Sequence, residues 1–346
     1  MKYEIEQRTL HFKQPAGTSR GVYTTRKIWL VELSDGERQG VGECAPLPDL
    51  SCDAIEDGRY EEILSRFCQR LCETGEIDYE AMRDYPSMLF GLETALRSFQ
   101  FSHHSPLTSH LLFDTAFSRG EVGIPINGLV WMGNYEEMLQ RMEEKLEKGF
   151  RCVKLKIGAI DFDKELDLIK RIRDRFSFHE VELRVDANGA FKYDEALYKL
   201  ELLSQYNIHS IEQPIKQGQW AFMAELCRES PLPIALDEEL IGVNDKEMKS
   251  HMLNIIKPRY IILKPSLHGG MMGCREWIDI AKEMGIGSWI TSALESNIGL
   301  NAIAQFASDV YGDNITMPQG LGTGQLFTDN IDMGLDIIKD GIILKT

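Results

Sequence analysis

Residues 152–189 read CVKLKIGAIDFDKELDLIKRIRDRFSFHEVELRVDANG, and this stretch contains one complete strand–helix–strand pattern. Two short apolar runs, CVKLKIG and VELRVDANG, predict β-strands, and the charged amphipathic segment between them predicts a helix. Two strands joined by a helix of this length pair in parallel through a right-handed crossover. The stretch therefore predicts an α/β fold built on a parallel sheet.

The same alternation of strands and helices runs from about residue 124 to residue 310 and predicts seven β/α units. An eighth strand, NITMPQG at 314–320, follows the last helix. We favour a closed barrel over an open doubly wound sheet, because charged residues end several consecutive strands, whereas an open sheet gathers its functional residues at one switch point. The phosphate-binding motifs GxGxxG and GxxxxGKS/T do not occur in the sequence.

The residues before this alternation follow a different pattern. Residues 1–45 contain three strand-like runs, and helices are predicted at 53–73 and 86–102. The last residues of the chain are apolar enough to pack against this first module. We therefore predict three regions, which are an α+β domain at 1–105, a barrel at 106–325, and a C-terminal segment at 326–346 that packs back on the first domain.

Charged side chains stand near the ends of five successive predicted strands, 25 to 30 residues apart from one strand to the next. A parallel barrel brings the C-terminal ends of its strands to one face, so these side chains are expected to converge. Carboxylate oxygens suit a hard divalent cation such as Mg²⁺, and the lack of His or Cys in the set counts against zinc. The set consists of Lys154, Lys156, Asp186, Glu212, Asp237 and Lys264.

Lys154 and Lys156 are two residues apart on one predicted strand, so both side chains point to the same face of the sheet. A lysine that points into a barrel needs a nearby carboxylate, or serves as a base whose pKa is lowered by a metal ion and another cation. Lys264 approaches from the opposite wall, four units further round the barrel. The sequence thus predicts a metal site flanked by two basic groups.

The composition restricts the partners of the chain. Its 346 residues have a net charge of −16, which argues against nucleic acid or an anionic membrane as the main partner. No apolar run reaches the roughly 18 residues that span a bilayer, and the N-terminus lacks the apolar core of a signal peptide. The seven cysteines are odd in number and scattered, which is typical of reduced thiols. We expect a cytoplasmic protein that acts on a small molecule; assembly into a homo-oligomer is left open.

The chain resembles the enolase superfamily, and within it the muconate-lactonizing subgroup. The match spans nearly the whole chain and depends on five short motifs, which together are highly specific. They are Lys154-Leu155-Lys156, Asp186-Ala187-Asn188, Glu212-Gln213-Pro214, Asp237-Glu238 and Lys264-Pro265. Within that subgroup the chain most resembles the o-succinylbenzoate synthases of menaquinone biosynthesis, through Gly42–Pro48, Ser292–Gly299 and Gly320–Gly324.

The resemblance implies a modified TIM barrel, (β/α)7β, with an N-terminal α+β capping domain. It also implies a syn elimination of water from 2-succinyl-6-hydroxy-2,4-cyclohexadiene-1-carboxylate, which gives 2-succinylbenzoate through an enediolate. Asp186, Glu212 and Asp237 would then bind Mg²⁺, with Mn²⁺ as an alternative. Lys156 would remove the α-proton and protonate the departing hydroxyl. Lys264 would stabilise the enediolate; a lysine base beside Mg²⁺ is a known property of this superfamily.

Substrate-binding roles are expected for four further residues, Lys154, Asn188, Thr291 and Ser292. As strand-end hydroxyls, Thr291 and Ser292 are equally suited to capping a helix. Segments 18–23 and 47–50 are expected to close over the substrate. Several other side chains are expected to be structural or minor contributors: Glu295 near Lys264, His268 in a loop, Trp131 and Trp289 in barrel packing, and Arg20 as an anion contact or a solvated side chain.

Two alternatives remain open at this stage. A dipeptide epimerase or N-acylamino acid racemase of the same superfamily would use the same metal triad and both lysines. Dipeptide epimerases typically have an Asp-x-Asp at the end of the eighth strand to hold the substrate ammonium, whereas Met317–Thr323 contains no acid. A barrel that binds ligand without catalysis is the alternative of another class.

Overall fold

The computed structural model describes residues 1–18, 21–102 and 111–345. Arg20, considered above as an anion contact or a solvated side chain, lies outside these residues. No helix among the described residues is long and apolar enough to cross a membrane.

The N-terminal module has an antiparallel sheet in the order β1 (Lys2–Thr18), β2 (Gly21–Ser34), β3 (Gln39–Cys44). Helices α1 (Asp57–Thr74), α2 (Tyr79–Met82) and α3 (Pro86–Phe101) follow. Glycines let α3 lie directly on β3, since a Cβ at Gly42 would stand 1.9 Å from the carbonyl oxygen of Gly91. This close packing of helix on strand makes the module the α+β unit that the sequence predicts.

The second module is a seven-stranded parallel sheet whose neighbours follow chain order from β5 to β11. Its strands are β5 (Gly128–Val130), β6 (Cys152–Lys156), β7 (Glu182–Asp186), β8 (Ser210–Glu212), β9 (Ile234–Leu236), β10 (Tyr260–Leu263) and β11 (Gly287–Ile290). The helices between and after them are α4 (Tyr135–Glu147), α5 (Phe162–Arg175), α6 (Tyr193–Ser204), α7 (Trp220–Glu229), α8 (Lys246–Ile256), α9 (Gly270–Glu283) and α10 (Asn297–Tyr311).

The predicted eighth strand closes this sheet with single bridges and does not form a regular strand. Gln319 pairs in parallel with Ile126 beside β5, and Gly320 pairs with Thr291 at the end of β11. The Gln319 side chain also accepts a hydrogen bond from the Ile290 amide at 2.7 Å. The ring is therefore complete, and the architecture is the α/β barrel of the (β/α)7β type with a separate antiparallel cap sheet, as expected.

The C-terminal segment has contacts with both modules. Phe327 pairs with Phe12 of β1, and the Thr328 amide donates to the His11 carbonyl at 2.9 Å. Further on, β12 (Leu335–Ile338) and β13 (Gly341–Leu344) form a hairpin that pairs with β4 (Ile124–Pro125), next to the barrel. Only the first part of segment 326–346 thus lies on the N-terminal sheet, and the domain limits at 105 and 325 stay a prediction.

Candidate active site

Strand register brings the charged residues of the sequence ladder to one level of the barrel. Lys156 of β6 lies opposite Asp186 of β7, and Asp186 lies opposite Glu212 of β8. Glu212 in turn lies opposite Ala235 of β9, two residues before Asp237. Because side chains alternate along a strand, Asp237 points to the same inner face as its neighbours.

Lysine amines contact the carboxylates directly. Lys154 Nζ lies 2.5 Å from Glu212 Oε2 and 3.0 Å from Asp186 Oδ2. Lys156 Nζ lies 3.0 Å from the same oxygen of Asp186 and donates to Asn188 Oδ1 at 2.8 Å. On the other side of the group, the Lys264 amine donates to Asp237 Oδ2. Lys156 and Lys264 thus contact different carboxylates, one at each side of the cluster.

These contacts divide the carboxylates into two kinds. Burial raises the pKa of Asp186, but Lys154 and Lys156 outweigh it and hold that pKa below its ordinary value. Burial raises and Lys264 lowers the pKa of Asp237, which comes to about 2. Burial and the charge of Asp186 raise the pKa of Glu212 well above its ordinary value. The cluster is therefore short of positive charge at Glu212.

The nearby carboxylates hold two of the lysines, Lys154 and Lys264, in the charged form. Burial lowers the pKa of Lys154, but Asp186 and Glu212 raise it further, so this amine stays protonated. Burial also opposes the charged form of Lys264, and Asp237 and Glu238 again produce a net rise in its pKa. Both amines are therefore suited to act as fixed positive charges rather than as bases.

The carboxylate cluster has the donor chemistry of a hard divalent cation. Glu212 Oε1 and Asp237 Oδ1 are buried and have no hydrogen-bond partner among the described residues. A buried carboxylate oxygen without a partner is costly, and a divalent cation held by oxygen ligands would remove that cost. Within 1–18, 21–102 and 111–345, however, no three His, Cys, Asp or Glu side chains already form a metal site, and lysine amines contact the carboxylates instead.

Neighbouring polar residues fix the strand ends that bear the carboxylates. The Asn188 amide N–H donates to Asp186 Oδ1 at 3.0 Å, and Asn188 Nδ2 donates to Glu238 Oε1 at 3.0 Å. Gln213 Oε1 accepts from the Asp237 amide at 3.3 Å, and Gln213 Nε2 donates to Glu239 at 3.0 Å. Glu238 and Gln213 are site residues that the sequence did not single out by role, although both occur in its motifs.

His268 is a third residue whose role the sequence did not predict. Its Nδ1 accepts a hydrogen bond from the main-chain amide of Lys264 at 2.8 Å. Burial lowers the pKa of His268 to about 3, so the ring is neutral and can accept this bond. His268 therefore fixes the backbone at Lys264; the spacing of four residues in KPSLH is the sequence signal for this turn.

A cavity of about 350 Å³ opens beside the cluster. Lys156, Asn188 and Lys264 line one end, and Thr291 and Ser292 line another wall together with Gly320 and Thr323. Thr291 Oγ1 donates to the Gly320 carbonyl at 2.9 Å, and Ser292 Oγ is 2.6 Å from Thr323 Oγ1. These hydroxyls hold the closing segment of the barrel, in addition to facing the cavity.

The capping module supplies part of the cavity wall. Tyr23, Leu47 and Leu50, from the two segments expected to close over a substrate, line it. Residues 19 and 20 of segment 18–23 lie outside the described residues. Trp131 and Trp289, which were expected to pack the barrel, also line the cavity. The functional roles predicted for all these residues stay predictions.

Comparisons with known proteins agree with this geometry. Residues 137–344 match the family described as enolase C-terminal domain-like, and residues 16–99 match the MenC N-terminal domain. The chain is 47% identical to the o-succinylbenzoate synthase of Desulfotalea psychrophila, over 99% of this chain and 98% of that one. The chain belongs to the o-succinylbenzoate synthase family of the enolase superfamily.

Solved structures of related enzymes have the same fold as this member of the o-succinylbenzoate synthase family. The crystal structure of MenC from Desulfotalea psychrophila superimposes with a TM-score of 0.83 at 41% identity, over 99% of both chains. The L-Ala-D/L-Glu epimerase of Bacillus subtilis has a TM-score of 0.81 at 20% identity, over 100% of this chain and 96% of that one. At that identity the likeness shows the fold alone. Enzymes of the enolase superfamily generally use a divalent metal ion.

Proposed function

We propose that this chain is a hydro-lyase that makes 2-succinylbenzoate by syn elimination of water from 2-succinyl-6-hydroxy-2,4-cyclohexadiene-1-carboxylate, a step of menaquinone biosynthesis. The observation that supports this most is the 47% identity to an o-succinylbenzoate synthase over 99% of the chain. The cavity adds chemical support, because Asp186 at the end of β7 and Glu212 at the end of β8, two of the proposed metal ligands, line it together with Glu238.

Asp186, Glu212 and Asp237 are the proposed ligands of a divalent cation, Mg²⁺ by preference and Mn²⁺ as the alternative. When bound, the ion supplies positive charge that holds the substrate carboxylate and lowers the cost of a second negative charge on it. The buried oxygens of Glu212 and Asp237 that have no partner among the described residues support this assignment. Lys154 stays protonated beside Asp186 and Glu212 and is proposed to contact the substrate carboxylate.

Lys156 is the proposed base. In its neutral form its Nζ takes the proton from the carbon next to the substrate carboxylate, and the C–H electron pair forms the enediolate. Lys156 then returns a proton to the departing hydroxyl, which leaves as water while the ring becomes aromatic. Because one amine serves both steps, the proton and the hydroxyl leave from the same face, as a syn elimination requires. Asn188 accepts a hydrogen bond from Lys156 and is proposed to orient that amine toward the carbon that loses its proton. Its predicted contact with the substrate carboxylate stays part of the proposal.

Lys264 is proposed to stabilise the enediolate from the opposite side. Its raised pKa keeps it protonated, so it provides a fixed charge where negative charge develops. His268 accepts a hydrogen bond from the Lys264 main-chain amide and thereby fixes the strand end from which the Lys264 side chain extends. Thr291 and Ser292 are proposed to face the succinyl arm at the far wall of the cavity.

The eighth-strand segment favours dehydration over dipeptide epimerisation as the activity of this chain. Gly320, Gly322 and Thr323 line the cavity, and Met317–Thr323 contains no carboxylate that could hold a substrate ammonium. Racemisation of N-acylamino acids needs no such anchor and is the second activity to measure. The cytoplasm is the proposed compartment, since all seven cysteines are free thiols; a homo-oligomeric state stays a prediction.

The test is an ultraviolet assay for 2-succinylbenzoate formation by the purified chain with Mg²⁺, run beside racemase assays on N-succinylamino acids and epimerase assays on dipeptides. We expect dehydration to have the highest kcat/KM. A higher kcat/KM on a dipeptide or an N-acylamino acid would contradict the proposal. Binding of Mg²⁺ without turnover of any of these substrates would instead support a barrel that binds ligand without catalysis.

A further inference from the structure

Arg26 connects the N-terminal module to the barrel through main-chain carbonyls. Its side chain is fully enclosed, with 2% of the residue exposed. The guanidinium donates to the carbonyl of Ala45 from Nη2 and to that of Pro46 from Nη1, each at 2.5 Å. It also donates to the carbonyl of Leu294 from Nε at 3.2 Å and to that of Ala293 from Nη2 at 3.5 Å.

The two segments that Arg26 joins form neighbouring parts of the cavity wall, and Leu47, Ala293 and Leu294 pack in one apolar cluster. Leu47, directly after Pro46, lines the cavity from the N-terminal module, and so does Leu50. Ala293 and Leu294 line it from the barrel, directly after Ser292. Arg26 itself does not line the cavity, so it acts on the cavity only through these segments.

The arrangement depends on the shape of the arginine side chain. In the part of the chain that the structure describes, the hydrogen bonds of Arg26 go to carbonyl oxygens, while Glu295 and Glu43 act on it by charge alone. A guanidinium has five donors in a rigid plane and stays protonated in proteins, so it can hold several carbonyls at once. A lysine amine is a compact charge with three donors and cannot span the same set.

The barrel side of this connection has a strained backbone. Leu294 has a φ of 66°, in the left-handed region that a leucine rarely occupies. Such a conformation persists only where its surroundings over-determine it. Here Arg26 binds the Leu294 carbonyl, the Ala293 amide donates to Glu295 Oε2 at 2.6 Å, and the Ser296 amide donates to Glu43 Oε1 at 2.8 Å. Two of these three partners, Arg26 and Glu43, come from the N-terminal sheet.

The same segment also contacts the loop that follows Lys264. Ser266 Oγ donates to Glu295 Oε1, and Ser266 is two residues beyond Lys264. A change at Arg26 is therefore expected to displace Ala293 and Leu294 directly, because Arg26 binds their carbonyls. It is expected to affect the loop after Lys264 indirectly, through Glu295 and Ser266.

We propose that Arg26 is a positioning residue that fixes the separation between segments 45–50 and 292–296 and thereby the fit of the substrate arm remote from the carboxylate cluster. The identity of that arm, a succinyl group, rests on the proposed function. If the wall holds the arm equally well before and during the reaction, a loosened wall weakens binding of the substrate and product more than it slows the chemical step.

The test compares Arg26→Lys with Arg83→Lys. Arg83 also connects the two modules, through Glu276 of α9 at 3.3 Å and the Asn244 carbonyl at 3.1 Å, but it does not line or border the cavity. We expect Arg26→Lys to raise KM and the Kd for 2-succinylbenzoate at least tenfold, with kcat changed less than threefold. We expect Arg83→Lys to leave both constants within twofold. A KM and Kd for Arg26→Lys within twofold of the parent would overturn the proposal.

Hydrogen exchange on the unliganded proteins gives a readout that does not depend on activity. Arg26→Lys should speed exchange of the amides of Leu50, Ser51, Ala293 and Ser296 together, and Arg83→Lys should not. Equal exchange in both variants would refute the role of Arg26 even if turnover were absent, whereas absent turnover in the parent protein refutes only the proposed function. If Arg26→Lys does not fold, the parent is measured with 2-succinylbenzoate, which should protect both segments; protection of only one would overturn the coupling.

Discussion

Lys156 and Asp186 lie directly opposite each other on neighbouring parallel strands, and the Lys156 amine is 3.0 Å from Asp186 Oδ2. The proposed base and a proposed metal ligand are thus in contact in this structure. A metal ion bound at Asp186 would compete with the Lys156 amine for this carboxylate oxygen, since hard divalent cations take oxygen ligands. The strand register thus places the proposed base directly beside a proposed metal ligand.

Replacing Lys156 by alanine tests the base. Lys156→Ala is expected to lower kcat for dehydration by about 10³-fold, since general acid–base catalysis contributes about 10²–10⁴-fold. The matched control is Lys170→Ala, an exposed lysine of α5, which should keep the parental kcat. Both variants should melt cooperatively in circular dichroism. A folded Lys156→Ala enzyme with substantial kcat would remove Lys156 from the role of base.

Replacing Lys264 by arginine tests the stabilising charge. Arginine keeps the charge but is longer and planar, so it no longer fits against Asp237 in the same position. We expect kcat to fall about 10²-fold, the usual effect of losing one preorganised electrostatic contact. Lys282→Arg, on the exposed end of α9, is the control and should behave as the parent. Near-parental turnover by Lys264→Arg would argue against a close contact with the enediolate.

Removal of the metal ion tests the carboxylate site. Incubation with EDTA should abolish dehydration, and added Mg²⁺ or Mn²⁺ should restore it, because the substrate carboxylate would lose its main positive partner. Calorimetric titration of Mg²⁺ gives a second readout, in which Asp237→Asn should bind the ion more weakly than the parent. Turnover that is indifferent to EDTA would refute the whole assignment of Asp186, Glu212 and Asp237.

Glu93 of α3 joins the N-terminal module to the start of α9, and the pH dependence of stability tests this contact. Glu93 accepts bonds from the amides of Met271 at 2.5 Å and Met272 at 3.0 Å, and burial raises its pKa to about 7. Between pH 4.5 and about 7, the Glu93 carboxyl is therefore protonated in the folded state and ionised in the unfolded state. The contribution of Glu93 to the free energy of unfolding is complete below pH 4.5 and is lost as the pH rises through this window.

Denaturant unfolding of the parent and of Glu93→Gln should be measured across this pH range. The free energy of unfolding of the parent minus that of the variant should decrease as the pH rises. Glu56 provides a control of opposite sign. It caps α1 at the surface, and its bonds from Gly58 and Arg59 lower its pKa, so its contribution is present above pH 4.5 and lost as the pH falls. A parent-minus-variant difference for Glu93 that grows with pH would contradict the prediction.

Gly42 tests the close packing of β3 on α3. A Cβ at this position would meet backbone atoms, 1.9 Å from the Gly91 oxygen and 2.7 Å from the Ala95 nitrogen, which cannot move aside like a side chain. Gly42→Ala should lower the free energy of unfolding by about 3 kcal/mol or more, at the upper end of overpacking costs. Gly58→Ala, where the nearest atom is 3.4 Å away, should be neutral or slightly stabilising. Equal stability of the two variants would disprove the tight contact.

The sequence by itself determined the alternation of strands and helices, the charged residues at strand ends and the family. These features are local: periodicity defines each element, and Lys156, Asp186, Glu212, Asp237 and Lys264 follow short apolar runs. Spacing of one β/α unit is enough to place such residues on one face of a barrel. The (β/α)7β class and the most specific motifs could therefore be predicted without coordinates.

Only the tertiary structure decided how those residues are paired and which others support them. The contact of Lys154 with both Glu212 and Asp186, and of His268 with the Lys264 amide, depends on register and on the bend of a loop. Arg26 lies on a strand of the first module, and its four carbonyl acceptors lie about 20 and about 270 residues away. Hydrogen bonds to main-chain carbonyls leave no mark on the identity of the accepting residues, so no pattern in the sequence could reveal them.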